Sequence, residues 1–177
     1  MNALQKLYGL FVKAANSLQS PFLLAVRLYW GWQFFQTGWG KFHRLPQVVQ
    51  FFASLGVPMP AFNAYFVSGL ELVGGILLAI GLGGRIIALP LAFDMVIAYV
   101  TADRDALRAF FSDPGTFYNA APFTFLLASL IVLIFGSGLF SVDAILARVW
   151  RKPSRSESGI HATVTGNASA ARYKNVV

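Results

Sequence analysis

Four long apolar blocks dominate the chain, with polar residues gathered between them. The blocks run from about Pro21 to Phe42, Ala61 to Leu82, Arg85 to Thr101 and Ala120 to Phe140. No Asp, Glu, Lys or Arg lies between Arg44 and Glu71, or between Asp113 and Asp143. Crossing the hydrocarbon core takes about 20 mainly apolar residues, so each block reads as a transmembrane helix. Pro21 opens the first at a position where the missing N–H costs little. The turn GLGGR reverses the chain between the second and third, because glycine accepts the backbone angles a tight turn needs.

Shorter elements follow from finer periodicity. Val48, Phe51, Phe52 and Leu55 share one helical face, predicting a short interfacial helix that stops at Gly56 ahead of Pro58 and Pro60. ADRDALRAFFSDPGTFYN reads as a water-exposed loop with one short amphipathic helix. Upstream, Leu4, Leu7, Phe11, Ala15 and Leu18 recur at helical spacing, with Lys6 and Lys13 on another face. That pattern suits a helix lying on the membrane surface. SVDAILARVWRK reads as a cytoplasmic surface helix, capped by Ser141 and with Asp143 in its first turn. Residues 153–177 are rich in Ser, Ala, Gly and Asn and read as a tail without fixed structure. The expected architecture is all-α: an integral membrane four-helix bundle with short interfacial helices. Residues 20–145 form the transmembrane domain, 1–19 an amphipathic N-terminal arm, and 146–177 a basic helix end and tail.

Composition sharpens this picture. Only 12% of residues are charged and 56% are hydrophobic, against about 25% charged in a soluble domain. There is no cysteine, which excludes disulfides, thiol chemistry and thiolate ligation. Two histidines, His43 and His161, argue against a metal or haem site built from this chain alone. The net charge of +7 sits at segment ends and in the tail, a topology signal and not a nucleic-acid footprint. Lys6, Lys13, Arg85, Arg148, Arg151, Lys152 and Arg155 fall on one side, and Lys41, Arg44, Arg104 and Arg108 on the other. This bias places both termini in the cytoplasm, in a multi-pass protein of the cell's inner membrane.

Candidate chemistry lies in the polar residues inside the blocks. An ionisable side chain at mid-bilayer costs about 2.5–3.5 kcal/mol on insertion scales, so it should face the bundle interior and find a partner. Arg27, Glu71 and Asp94 meet that description. In the first block Arg27, Gly31, Phe34, Gly38 and Lys41 share one stripe at 100° per residue, marking the inward face. Gly31 and Gly38 there, like Gly74 and Gly75 beside Glu71, permit close helix approach. Gln33 and Gln36 lie on the far side, where another subunit could meet them. At about 1.5 Å per residue, Arg27 falls about 10 Å, and Glu71 and Asp94 about 15 Å, from the cytoplasmic ends of their spans. The expectation is an Arg27–Glu71 ion pair with Asp94 close by. Two carboxylates sharing one cation in a low-dielectric site do not both ionise readily. Such a cluster serves either as a latch holding the bundle or as a proton-active pocket.

The order Arg27–Gly31–Phe34–Gly38–Lys41, then Glu71–Gly74–Gly75–Gly81, then GSGLFSVD, resembles the DoxX family of small four-span membrane proteins. In the closing motif Gly136, Gly138, Ser141 and Asp143 match the family pattern, and Ser137 stands where proline is usual. The resemblance covers about residues 20–145. It implies characteristic polar positions at Arg27, Lys41 and Glu71, and a kinship with the membrane subunit of a thiosulfate:quinone oxidoreductase. The leading functional expectation is an accessory or quinone-facing subunit of a membrane redox system. The alternatives are a small-solute or proton-coupled transporter or channel, and an assembly scaffold without catalysis. Quinone is the one cofactor the reading raises. The partners it raises are the lipid bilayer, redox-complex subunits and further copies of the chain; nucleic acid is excluded.

Overall fold

The computed structural model describes residues 3–150, which are helical with short connections. The expected tail at 153–177 lies outside the described residues. The elements are α1 (Ala3–His43), α2 (Leu45–Ser54), α3 (Pro60–Ile80), α4 (Gly84–Thr101), α5 (Arg104–Arg108), α6 (Pro114–Asn119), α7 (Pro122–Phe135) and α8 (Val142–Trp150). Pro46, Pro60, Pro114 and Pro122 each stand in the first turn of a helix, where the fixed φ of proline favours helix entry. The helices up to Ala147 form one compact unit.

α1 packs chiefly on α3 and α4 on α7, with further contacts of α3 on α4 and α1 on α7. α3 and α4 are long and apolar enough to cross a membrane. α7 is apolar but spans 14 residues. The block expected to run to Phe140 therefore stops being helical at Gly136, whose φ of 80° suits glycine. The N-terminal arm is not a separate helix either. α1 runs through Pro21 without a break for 41 residues, about 61 Å at 1.5 Å per residue.

Glycines set the register of α1 against α3. A methyl group on Gly31 would lie 2.7 Å from the Gly75 carbonyl oxygen and 2.8 Å from Ala79 Cβ. One on Gly38 would meet the Leu72 backbone and the Ser68 carbonyl. The two helices are antiparallel, so Arg27 comes level with Gly81, and Glu71 comes level with Thr37. Gly74 faces the other way, receiving Leu91 of α4. Phe34 and Leu78 are fully buried in the core with Leu91 and Val132, and Phe34 meets Phe125 edge-on at 4.7 Å.

Candidate functional site

The structure separates the ionisable residues into two clusters, one at the middle of α3 around Glu71 and one at its C-terminal end around Gly81. The expected Arg27–Glu71 pair does not form. Glu71, 3% exposed, is held by Lys41, whose Nζ donates to Oε1 at 2.7 Å. The cause is the helix register. Depth counted from a first span beginning near residue 20 put Arg27 beside Glu71. The contacts of Gly31 and Gly38 instead place Arg27 ten positions of α3 away, about 15 Å at 1.5 Å per residue. Lys41 begins one turn beyond Glu71's level, and its flexible stem reaches back.

Asp94 of α4 is buried beside this pair, close enough for Glu71 and Lys41 both to act on it electrostatically. Among the described residues, no group bonds Asp94 Oδ2 or Glu71 Oε2. Lys41, Glu71 and Asp94 line a cavity of about 210 Å³. Its remaining walls are mostly apolar, with Asn63 and Thr101 adding polar side chains. α2 turns Phe51 and Phe52 towards it, its C-cap Leu55 joins them, and α4 contributes Met95 and Ala98. The face predicted for the short interfacial helix is thus the cavity's outer wall. The Lys41 side chain, 32% exposed, connects the buried acids to the exterior. The arrangement offers a polar pole of one ammonium and two carboxyls at the end of a mostly apolar slot.

Arg27 builds the second cluster. It is fully buried and donates through Nη2 to the Phe140 carbonyl. Gly81, with φ of 71°, lies against the guanidinium, where any side chain would collide. Nearby, Asp143 accepts from the Gly83 N–H at 2.7 Å, the Gly84 N–H at 3.0 Å and the Ser137 hydroxyl at 2.8 Å. Its own N–H donates to the Gly81 carbonyl at 3.1 Å. Asp143 therefore does more than complement its helix dipole: it caps the start of α4 and fastens the α3–α4 turn to the segment after α7. Partial burial alone would raise its pKa. The two backbone N–H groups, the Ser137 hydroxyl and the Arg27 charge outweigh that and hold it below the usual carboxylate range. Ser141 takes its expected place, its Oγ accepting from the Ala144 N–H at 3.1 Å.

Gln33 and Gln36 sit away from both clusters. Gln33 donates to the Tyr29 hydroxyl at 3.3 Å, and Gln36 is exposed on the outer face of α1. Two roles escaped the sequence reading. Lys41 stands on the inward stripe with Arg27 in the sequence, but its pairing with Glu71 was not read from it. The Asp143 clamp was hidden because its partners are backbone N–H groups; the adjacent Gly83 and Gly84 were the trace of it.

The DoxX family pattern matches residues 22–104. A Bacillus subtilis protein named "Putative oxidoreductase CatD" is 32% identical over 120 residues, covering 68% of this chain and 83% of that protein. A Mycobacterium tuberculosis protein named "Uncharacterized membrane protein Rv3486" is 31% identical over 140 residues, covering 72% of this chain and 83% of that one. No solved structure matches the chain. With its matching stretch running through both the Lys41–Glu71 pair and the turn that Asp143 clamps, the chain belongs to the DoxX family of membrane proteins.

Proposed function

We propose that this chain is the quinone-facing membrane subunit of a redox system, holding a quinone headgroup in the slot between α2, α3 and α4. The observation that carries the reading is the buried Lys41–Glu71 pair with Asp94 beside it, lining a mostly apolar cavity that Asn63 and Thr101 also border. A quinone ring is flat and apolar on its faces and polar at its carbonyl edges, which matches that division. Pockets for drug-sized ligands run about 300–1,000 Å³. A cavity of about 210 Å³ suits a headgroup whose tail remains in lipid. The Lys41 ammonium carries two protons beyond the one it gives Glu71, and these can be donated to a carbonyl. Asp94 in its protonated form is a second donor.

Reduction of a quinone to a quinol takes two electrons and two protons. The electrons come from a partner subunit carrying a redox cofactor. The protons pass through Asp94 and the Lys41–Glu71 pair, with Lys41 as the link to water. In this reading α1 and α7 cross the membrane beside α3 and α4, giving four crossings in the inner membrane. Both termini are cytoplasmic, and the slot runs from acids near mid-depth toward the opposite surface. The oxidoreductase class in the name of the B. subtilis relative agrees with it.

The test is binding of a short-tailed quinone to the purified protein in lipid nanodiscs, followed by tryptophan quenching, with Glu71→Gln measured beside wild type. Wild type is expected to bind, and Glu71→Gln about tenfold more weakly, because the ammonium then loses its fixed position. Absence of binding in both proteins ends the proposal.

A further inference from the structure

α1 is twice as long as the membrane needs. At about 61 Å it exceeds a hydrocarbon core of about 30 Å. Ser20 and Leu23 still touch the segment after α7, but α1 continues some 17 residues further to Ala3, and the described side chains there are mostly exposed. The helix is continuous through Pro21. Leu7, Phe11 and Leu18 on this extension are 69%, 69% and 67% exposed. A contiguous apolar strip of that kind, if left in water, marks an interaction surface.

The same face continues into the bilayer. At 100° per residue Leu7, Phe11, Leu18, Tyr29, Trp32 and Gln36 fall within about 60° of one another, directly opposite the buried stripe of Arg27, Gly31, Phe34 and Gly38. Because α1 packs along α3, Gln36 lies at the depth of the Leu72 region, far from either end. Its primary amide is exposed there, and no bond to it is made among the described residues. A bare amide facing hydrocarbon is costly, and Gln side chains in lipid are satisfied by hydrogen bonds across helix pairs. One face of one helix therefore carries both an exposed apolar strip and an exposed amide at the depth of mid-α3.

We propose that this face is the contact between two copies of the chain, joined through α1. A primary amide is both donor and acceptor, so it is complementary to itself. Two copies inserted in the same sense lie parallel, and a twofold axis along the membrane normal brings like residues together. Gln36 then meets Gln36 of the second copy, and the extension strips close on each other as a two-helix seam. An unrelated helix would satisfy the amide equally well, but only a second α1 matches the strip along its whole length.

The chain lacks cysteine, so single-cysteine variants report the contact directly. Phe11→Cys, Leu18→Cys and Gln36→Cys are placed singly in the full chain in native membranes, with Gly9→Cys on the back of the extension as reference. Mild oxidation is expected to give disulfide dimers at the first three positions and little at Gly9. In nanodisc or vesicle energy-transfer measurements, Gln36→Leu should weaken association roughly tenfold, the loss expected for paired interhelical amide bonds, while Gln36→Asn should retain most of it. Equal crosslinking at Gly9 and Phe11 overturns the proposal, since it signals random collision. So does a monomer by energy transfer, or quenching by lipid-borne probes that places Phe11 within the bilayer surface.

Discussion

Removing the Lys41 ammonium should cost the fold more than removing the whole ion pair. Lys41→Met leaves the Glu71 carboxylate, 3% exposed, with no counter-charge and with the Asp94 carboxyl close by. Breaking a buried pair by deleting one partner costs about 3–5 kcal/mol. The Lys41 side chain is 32% exposed, so solvent screens part of the interaction and the expected loss is about 2–3 kcal/mol. For a chain of this size that corresponds to a fall of roughly 5–10 °C in Tm. Glu71→Gln in the Lys41→Met background removes the stranded charge and should recover about half of the loss, because a neutral amide needs no counter-ion. The assay is thermal unfolding in detergent micelles, with all four members of the double-mutant cycle measured under one condition and a coupling of about 1–2 kcal/mol expected. If the single losses simply add, or if Lys41→Met unfolds with wild type, the pair is not an energetic unit and the account of the site fails.

The other predictions concern packing and the second cluster. Gly38→Ala should lower stability by about 1–3 kcal/mol, since its methyl group meets the Leu72 backbone. Gly9→Ala, with nothing within 4 Å, should be neutral or slightly stabilising; equal effects at the two sites in the same unfolding assay would remove the register argument. Asp143→Ala should cost about 2–3 kcal/mol by leaving the Gly83 and Gly84 N–H groups without their acceptor. Because the folded pKa of Asp143 lies below its unfolded value of 3.8, its contribution is complete at neutral pH and is lost only as pH falls through that lower folded value. An Asp143-dependent loss of stability already developing between pH 7 and pH 5 would contradict this sign.

Some of this was legible in composition and spacing. The apolar blocks, the glycine turn before Arg85 and the amphipathic face of α2 follow from local rules of helix length, periodicity and glycine conformation. So does the inward orientation of Arg27 and Lys41, which share a stripe because 14 positions make almost four whole turns. Membrane residence follows from charge-free stretches that only lipid would tolerate. Each property depends on residues near one another in the chain, so the pattern carries it.

Partner choice was not legible, because it depends on how far one helix slides along another. Arg27 and Lys41 face the same way, and either could have neutralised Glu71. The close approach of Gly31 to Gly75 and of Gly38 to Leu72 decided the matter by setting an antiparallel register that puts Lys41 within reach and Arg27 at the far turn. Where α1 begins shifted the depth count as well, since a proline expected to open a helix sits inside one. The Asp143 clamp was equally hidden, its ligands being backbone N–H groups sixty residues away that every sequence contains. A period along one helix tells which side a residue is on. Its height against the neighbouring helix is a property of packed surfaces, and only the tertiary structure holds it.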